Sequence, residues 1–270
     1  MPSSRLGAVP IPDLPEGFVL HSRDGAAWIE HALGNRRVVF TVMRDPAAST
    51  DRPPLDLGRT TDAPGPEAVE SRRALCEALG VEPSSVRLVR QVHGDRLLDL
   101  GEELAAGTAG VLATEPAAAE ADGFLLSGGE GAGLIPAIVT ADCLPVAISG
   151  PRGTALLHLG WRGLSSRMLE EAITATAGSS AVIGPGIGPC CYEVGPEVFD
   201  ALGIQHRSDP APLDITSVAS ARLGGAGVSE IARTGLCTSC EKDLLFSHRR
   251  DGISAGRQMA LIAPYVRPGS

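Results

Sequence analysis

A long apolar run in the middle of the chain constrains its fold most. Residues 134–148 are almost continuously apolar, with breaks at Pro136 and at residues 140–142. A second apolar segment, residues 154–159, follows closely. Short continuous apolar runs are typical of strands buried on both faces. We therefore predict two buried strands joined at residues 140–142, and a third strand after them.

Strands and helices alternate along the rest of the chain, without internal repeats. The further predicted elements are strands at residues 38–42, 86–92 and 181–187, a helix at residues 67–79 followed by Gly80, and a helix beginning near Ser165 and Ser166. This alternation favours an α+β (mixed α/β) fold, a single-domain layered sandwich with mixed sheets flanked by helices. We expect residues 1–17 to form a flexible arm and residues 18–270 to form one domain.

Composition excludes several classes of protein. Apolar residues make up 43% of the chain and charged residues 20%, as in ordinary globular proteins. The net charge of −9 argues against a nucleic-acid surface, which usually carries a basic excess. No apolar stretch reaches the roughly 18 residues of a membrane span. The N-terminus lacks the apolar core of a secretory signal, so we expect a cytoplasmic protein that binds neither nucleic acid nor membranes.

His93, Cys143 and His158 are candidate metal ligands, because each lies near the end of a predicted apolar strand. Two imidazoles and one thiolate leave a fourth position open on zinc, as in catalytic sites. The same donors form a blue-copper site when a methionine lies nearby. Other interpretations stay open: Cys143 as a small buried residue or a nucleophile, and either histidine as an ordinary hydrogen-bonded residue.

The neighbours of these residues add polar and aromatic groups. Asp142 precedes Cys143 and is a candidate general acid or base, or a group that orients a ligand. Trp161 and Arg162 follow His158 and offer a stacking face and a planar guanidinium suited to phosphate or carboxylate.

Four of the six cysteines lie outside this set in the C-terminal part of the chain. Cys237 and Cys240 have the spacing of a zinc-ribbon or redox pair, but a zinc ribbon needs a second such pair, and the sequence shows none. Cys190 and Cys191 are adjacent and cannot readily bridge each other. We therefore interpret the Cys237–Cys240 pair as structural or incidental.

Several motifs together resemble the family described both as multicopper polyphenol oxidase (laccase-like) proteins and as purine nucleoside phosphorylases. The matching segments follow the family order and are residues 91–94, 121–123, 140–145, 158–163, 183–195, 237–238, 247–252 and 256–258. The resemblance implies one zinc ion on His93, Cys143 and His158, with copper the less favoured metal. It also implies phosphorolysis of adenosine, inosine and guanosine, cleavage of 5′-methylthioadenosine, and deamination of adenosine.

For a zinc-dependent purine enzyme, we assign candidate roles to individual residues. The predicted catalytic residues are Asp142, Cys143 and Arg162, and the predicted substrate- or phosphate-binding residues are Arg44, Trp161, Arg249 and Arg250. A salt bridge within a turn is the alternative for residues 249–251. The expected partners are purine nucleosides and phosphate, acting on a monomer or a homodimer.

Three other functions compete with this prediction. Some family members are linked to amide hydrolysis in peptidoglycan precursors that carry the wrong first amino acid. Copper oxidase chemistry is disfavoured, because the chain has only six histidines and no His-X-His pair. A structural zinc module would require a fourth protein ligand, such as His248 or Cys240, to close the site.

Overall fold

Two mixed β-sheets lie face to face at the centre of the molecule. This computed structural model describes residues 13–46, 53–100, 107–127, 133–205 and 210–265. The apolar side chains between the two sheets come from both of them and include Ile29, Phe40, Phe124, Ile138 and Leu156. The sheets are therefore the inner layers of a sandwich.

The first sheet has seven strands. They are β1 (Phe18–Arg23), β2 (Ala26–Leu33), β3 (Arg36–Val42), β4 (Val86–Leu88), β6 (Ala109–Gly110), β8 (Ile135–Thr140) and β15 (Gln258–Pro264). Their order across the sheet is β1-β2-β3-β15-β8-β4-β6. The β4–β8 pair is parallel and the others are antiparallel; in the middle of the sheet, Ala260 lies between Phe40 and Ile138.

The second sheet has six strands. They are β5 (Leu97–Asp99), β7 (Gly123–Ser127), β9 (Leu144–Gly150), β10 (Gly153–Leu159), β11 (Ser180–Ile183) and β14 (Glu230–Arg233). Their order is β14-β11-β9-β10-β7-β5, with parallel pairs at both edges. A short antiparallel pair, β12 (Glu193–Val194) and β13 (Ala211–Pro212), stands apart from both sheets.

Helices flank the two sheets in the described parts of the chain. They are α1 (Pro66–Leu79), α2 (Trp161–Ser165), α3 (Met168–Thr176), α4 (Pro196–Leu202), α5 (Ile215–Gly225) and α6 (His248–Asp251), with 3₁₀ turns at Pro83–Ser85 and Gly252–Ser254. Leu75 and Leu79 of α1 pack on the first sheet. Leu169 and Ile173 of α3 and Leu223 of α5 pack on the second. The predicted fold class, a layered α+β sandwich with mixed sheets, is confirmed.

The central apolar run forms β8 and β9, as predicted, and residues 154–159 lie in β10. The sequence did not indicate that β8 and β9 belong to different sheets. Residues 141–143 therefore carry the chain from one sheet of the sandwich to the other. This crossing explains the polar interruption in an otherwise apolar segment, because it lies at the rim of the sandwich.

The predicted helix at residues 67–79 is confirmed, and Gly80 ends it in a left-handed conformation with φ 67°. The predicted strand at residues 86–92 is too long, since β4 ends at Leu88. Beyond that point the Gln91 side chain replaces a strand, because its amide exchanges hydrogen bonds of 2.9 and 2.8 Å with the backbone of Val139. The strand predicted at residues 181–187 likewise ends early, at Ile183.

The hairpin formed by β1 and β2 was not predicted from the sequence. The division into an arm at residues 1–17 and a domain at residues 18–270 stays a prediction, because residues 1–12 and 266–270 lie outside the described parts of the chain.

Candidate metal centre

His93, Cys143 and His158 meet at one rim of the sandwich. One donor atom from each lies within 4.8 Å of the other two. His93 lies in the turn beyond β4, Cys143 in the crossing between β8 and β9, and His158 near the end of β10. We call these three residues the His–Cys–His group. Their convergence gives the donor set of a metal site, with His158 buried and His93 exposed.

Asp122 forms hydrogen bonds to two of the three donor residues, to the backbone of His93 and to the ring of His158. Its buried carboxylate accepts the backbone N–H groups of Val92, His93 and Gly94 at 3.2, 3.0 and 2.6 Å. His158 Nδ1 also donates to this carboxylate, at 2.9 Å. Since Nδ1 is occupied, Nε2 is the ring nitrogen of His158 that remains for a metal. Carboxylates that orient histidine ligands in this way are usual around bound metals.

Two residues of the site have strained backbones. His93 has φ 59° and Asp142 has φ 92°, backbone angles that residues other than glycine rarely adopt. The hydrogen bonds from residues 92–94 to Asp122 hold the first of these turns. Strain held by surrounding contacts in this way is common where a side chain must be aimed at a ligand.

The buried donors influence each other's ionisation. Burial opposes ionisation of the Cys143 thiol, but the charge and hydrogen bonds of His158 and His93 outweigh it and lower its pKa. Burial likewise opposes protonation of His158, but Cys143 and Asp122 outweigh it and raise its pKa. Cys143 and His158 therefore each favour the charged form of the other. Because a metal takes a thiolate and a neutral imidazole, binding there would release a proton.

A cavity of about 460 Å³ opens above the His–Cys–His group. The described residues that line it include all three donors and Asp142, together with apolar, aromatic and basic side chains. The basic ones are Arg59, His248, Arg249 and Arg257, and the apolar or aromatic ones are Val139, Ala141, Ile187, Tyr192 and Ile215. The lining thus offers contacts both to a flat apolar group and to an anion.

Asp142 is held in place by two further segments of the chain. Thr238 Oγ1 donates to its Oδ1 at 2.6 Å, and the backbone N–H of Arg249 donates to its Oδ2 at 2.6 Å. Both partners are fixed by the fold, so the carboxylate has one orientation at the edge of the cavity.

The predicted substrate-binding residues fall into two sets. Arg249 lines the cavity, and its guanidinium donates to the carbonyl oxygens of Cys191 and Glu193. The other predicted residues, Arg44, Trp161, Arg162 and Arg250, are not among the described residues that line it. Their roles stay predictions without support from the geometry.

Arg162 and Arg250 instead contact neighbouring groups of the protein. Arg162 is exposed and stacks on Trp161, with its guanidinium carbon 4.4 Å from the ring centroid. Arg250 pairs with Asp251 at 2.6 Å and donates to the carbonyl oxygens of Thr238 and Leu245. The geometry of Arg250 therefore favours the alternative of a salt bridge within a turn.

A fourth protein donor for the His–Cys–His group is not found among the described residues. His248 lines the cavity, but its Nδ1 lies 2.8 Å from the carbonyl oxygen of Gly252. Cys240 lies in a different cluster. Neither residue closes the site, which is the arrangement expected where a position is left for water or substrate.

Cys240 belongs to a second cluster, the four-cysteine group, formed by Cys190, Cys191, Cys237 and Cys240. Its four sulfur atoms lie within 4.8 Å of one another. The sequence has no second pair with the Cys237–Cys240 spacing, but the fold brings the adjacent residues Cys190 and Cys191 to these two from a different loop. The interpretation of Cys237 and Cys240 as structural or incidental stays a prediction.

Sequence reasoning assigned no role to several residues of the site. Asp122 and Arg257 lie in motifs that carried the family resemblance, at residues 121–123 and 256–258, and this was the available signal. Thr238 also lies in such a motif. Arg59 lies in a long loop with no local pattern that would have marked it.

The sequence matches the family described as "Multi-copper polyphenol oxidoreductase laccase" over residues 38–264. A relative from Escherichia coli, named purine nucleoside phosphorylase YfiH, is 36% identical over 214 residues, which is 73% of this chain and 81% of the relative. Purine nucleoside phosphorylase YlmD from Geobacillus stearothermophilus is 31% identical over 231 residues, or 77% of this chain and 82% of the relative.

Solved structures share the fold. The crystal structure of YlmD from Geobacillus stearothermophilus matches with a TM-score of 0.76 and 28% identity, covering 93% of this chain and 100% of that one. Hypothetical protein YfiH from Bacillus licheniformis matches with a TM-score of 0.77 at 24% identity and the same coverage, which bears on the fold alone. Among the described helices, none has the length and apolar character needed to cross a bilayer. The cytoplasmic location and the oligomeric state stay predictions.

Proposed function

Because this chain belongs to the family described as multi-copper polyphenol oxidoreductase laccase, whose similar members are named purine nucleoside phosphorylase, we propose that it cleaves purine nucleosides with phosphate. The finer proposal is a zinc-dependent enzyme that acts on adenosine, inosine, guanosine and 5′-methylthioadenosine and also deaminates adenosine. The observation that carries the proposal is one cavity that combines the His–Cys–His group, apolar walls and three arginines.

The apolar part of the cavity suits a purine base. Val139, Ile187 and Ile215 provide flat aliphatic contacts, and Tyr192 provides an aromatic ring. Burial and the nearby Cys143 thiolate raise the pKa of Tyr192 to about 12, so its phenol stays protonated and able to donate. A purine bound there would gain from stacking and from exclusion of water.

The basic part of the cavity suits phosphate. Arg257 is held by hydrogen bonds of its Nη1 to the carbonyl oxygens of Ala255 and Gly256, at 2.6 and 2.9 Å. Arg59 is held by the carbonyl oxygen of Ile253, and Arg249 by those of Cys191 and Glu193. Guanidinium groups fixed in this way can bind phosphate oxygens with little loss of side-chain entropy.

In phosphorolysis, a phosphate oxygen bonds to C1′ of the ribose while the bond from C1′ to the base breaks. The electron pair of the broken bond leaves with the base, which takes up a proton. The arginines would hold phosphate on the side of the sugar away from the base. Asp142, fixed by Thr238 and Arg249, would hold or transfer a proton at the edge of the purine.

The His–Cys–His group fits zinc in its donor chemistry, with two imidazoles, one thiolate and a carboxylate that orients His158. When bound, zinc supplies a Lewis acid that stabilises negative charge and activates water, as deamination requires. The chain's own part is to aim the three donors and to shape the cavity around the substrate. Laccase chemistry is disfavoured, because the described residues form only one histidine-containing group of three or more donors.

The decisive experiment incubates zinc-loaded protein with adenosine, with and without inorganic phosphate, and identifies products by chromatography. Phosphorolysis yields adenine and ribose 1-phosphate only when phosphate is present. Deamination yields inosine under both conditions, and with phosphate the inosine is cleaved further to hypoxanthine. If none of adenine, inosine and hypoxanthine forms while zinc is bound, the purine proposal is wrong. Formation of inosine alone would support the deaminase activity and contradict the phosphorylase activity.

A further inference from the structure

The four-cysteine group forms where two loops leave one edge of the second sheet. Strands β11 and β14 are parallel neighbours, so the loops that follow Ile183 and Arg233 start side by side. A backbone bridge between Gly186 and Cys237 continues the contact beyond the strands. Cys190 and Cys191 come from the first loop, and the other two cysteines from the second. The sheet therefore brings together thiols that are distant in sequence.

The spacing of the sulfur atoms matches one small ion. The Sγ atoms of Cys190 and Cys191 lie 3.4 and 3.5 Å from that of Cys240, and all four lie within 4.8 Å of one another. Zinc bound tetrahedrally to four thiolates at about 2.3 Å places them roughly 3.8 Å apart. The separations between the four sulfur atoms are thus close to those of a tetrahedral four-thiolate site.

The backbone around Cys237 is arranged for a negatively charged sulfur. The N–H of Gly188 donates to Cys237 Sγ at 3.2 Å, and the N–H groups of Ser239 and Cys240 face the same atom. The chain from Cys237 forms a tight turn, with the N–H groups of Cys240 and Glu241 donating to the Cys237 carbonyl at 3.1 and 3.0 Å. N–H groups directed at sulfur stabilise a thiolate ligand.

Ordinary packing does not account for these four residues. Cys190 and Cys240 are exposed, whereas Cys76, elsewhere in the chain, is buried among apolar side chains. Burial raises the pKa of Cys76 to about 11, so that residue behaves as a small apolar side chain. Exposed thiols in mutual contact gain little from burial.

We propose that Cys190, Cys191, Cys237 and Cys240 bind a second zinc ion in a closed, structural site. Four thiolate ligands select a soft metal with tetrahedral geometry and leave no position for water or substrate. This ion would therefore not take part in chemistry. It would cross-link the loops after β11 and β14.

The first of those two loops lines the cavity and the second contacts a residue that lines it, which gives the proposed ion its role. Ile187 and Tyr192 of the first loop line the cavity. Thr238 of the second loop lies between two of the cysteines and donates to Asp142. Arg249 donates to the carbonyl oxygen of Cys191 itself. The second zinc would thus fix the position of Asp142 and Arg249 without touching the substrate.

Metal content tests the site independently of any activity. We expect the full-length protein to hold about two zinc ions by elemental analysis, one in each group. Cys240→Ser and His93→Ala should each lose one of them, and Cys76→Ala, the matched control, should lose none. About one ion in the unaltered protein, with no further loss in Cys240→Ser, would overturn the proposal. So would a second ion that disappears only in His93→Ala.

Cobalt substitution identifies which donors hold the metal. His93→Ala loaded with cobalt(II) should keep the strong sulfur-to-cobalt absorption of a four-thiolate site, and Cys240→Ser should lose it. If Cys240→Ser fails to fold, the His93→Ala spectrum still decides the question, because it leaves all four cysteines intact. A disulfide would appear instead as a loss of two hydrogen masses and two free thiols. That result in protein purified under reducing conditions would also overturn the proposal.

Discussion

The two thiol-bearing clusters of this protein differ in the number and kind of their donors. The His–Cys–His group offers three donors beneath a cavity, whereas the four-cysteine group offers four sulfurs on two adjoining loops. Three protein ligands leave a metal one position for chemistry, and four leave none. We therefore call the His–Cys–His group the open group and the four-cysteine group the closed group.

The clusters also differ in what holds their donors. In the open group, the buried carboxylate of Asp122 fixes His158 and the turn of His93. In the closed group, backbone N–H groups such as that of Gly188 face the sulfur of Cys237. The open group is thus preformed by the sandwich. The closed group depends on two loops, so a metal would contribute more to its local stability.

The largest effect is expected from Cys143→Ala. Removing one of three ligands should lower the rate of purine nucleoside cleavage by about 10³-fold, or roughly 4 kcal/mol, because a bound metal supplies several kcal/mol of charge stabilisation. Thermal unfolding should change little, since Asp122 holds the turn of His93 and the ring of His158 without the thiol. Steady-state kinetics and calorimetry measure the two quantities. Cys76→Ala is the control for loss of a thiol, and full activity in Cys143→Ala would contradict the assignment.

In the closed group, Cys240→Ser should lower the thermal stability more than the activity. Losing a structural zinc ion is expected to cost about 3 kcal/mol, and this lowers the unfolding midpoint by roughly 6–12 °C. A chelator strong enough to strip both metals should bring the unaltered protein to the same midpoint. If Cys143→Ala lowers the midpoint more than Cys240→Ser does, the division into open and closed groups is wrong.

A smaller effect is expected from Asp122→Asn. The amide still fills the space but loses the charge that orients His158, so affinity for zinc in the open group should fall about 10–100-fold. Competition with a chromogenic chelator measures this change. Asp95→Asn, which alters an exposed carboxylate close to the same turn, should leave the affinity unchanged. Equal losses in both variants would show that net charge near His93 matters and that the hydrogen bond does not.

The open group could be predicted from the sequence and the closed group could not. His93, Cys143 and His158 are rare donor types near the ends of apolar runs, and such runs fold into buried strands whatever their partners are. The closed group depends on β11 and β14 being neighbours, and this pairing leaves no local pattern in the sequence. Family motifs pointed to the same donors, but they did not show which loops meet.

Some smaller features of the fold and the site were also not predicted, for a similar reason. The strand predicted beyond Leu88 is replaced by the side chain of Gln91, which hydrogen-bonds to Val139 as a backbone would. The cavity arginines Arg59 and Arg257 come from loops that are far apart in sequence, and they meet because Arg257 N–H donates to Asp56 at 2.9 Å. Hydrogen bonds between distant loops of this kind leave no periodic pattern.

The smallest effect tests the link between the two groups, through Thr238. Its hydroxyl donates to Asp142, and it lies between Cys237 and Cys240. Thr238→Val keeps the shape but removes a hydrogen bond to a carboxylate, worth about 1.5–3 kcal/mol before Asp142 relaxes. We expect roughly a tenfold loss of kcat, about 1.4 kcal/mol, with metal content unchanged.

Thr238→Ser, which keeps the hydroxyl, should recover most of that activity and so separates the hydrogen bond from packing. If Thr238→Val instead releases the second metal ion, Thr238 supports the four-cysteine turn and not Asp142. If both variants behave like the unaltered protein, the closed group does not influence the open one through Thr238. The links that would remain are the Arg249 guanidinium, which donates to the carbonyl oxygen of Cys191, and the backbone N–H of Ile187, which donates to the carbonyl oxygen of Asp142 at 2.8 Å.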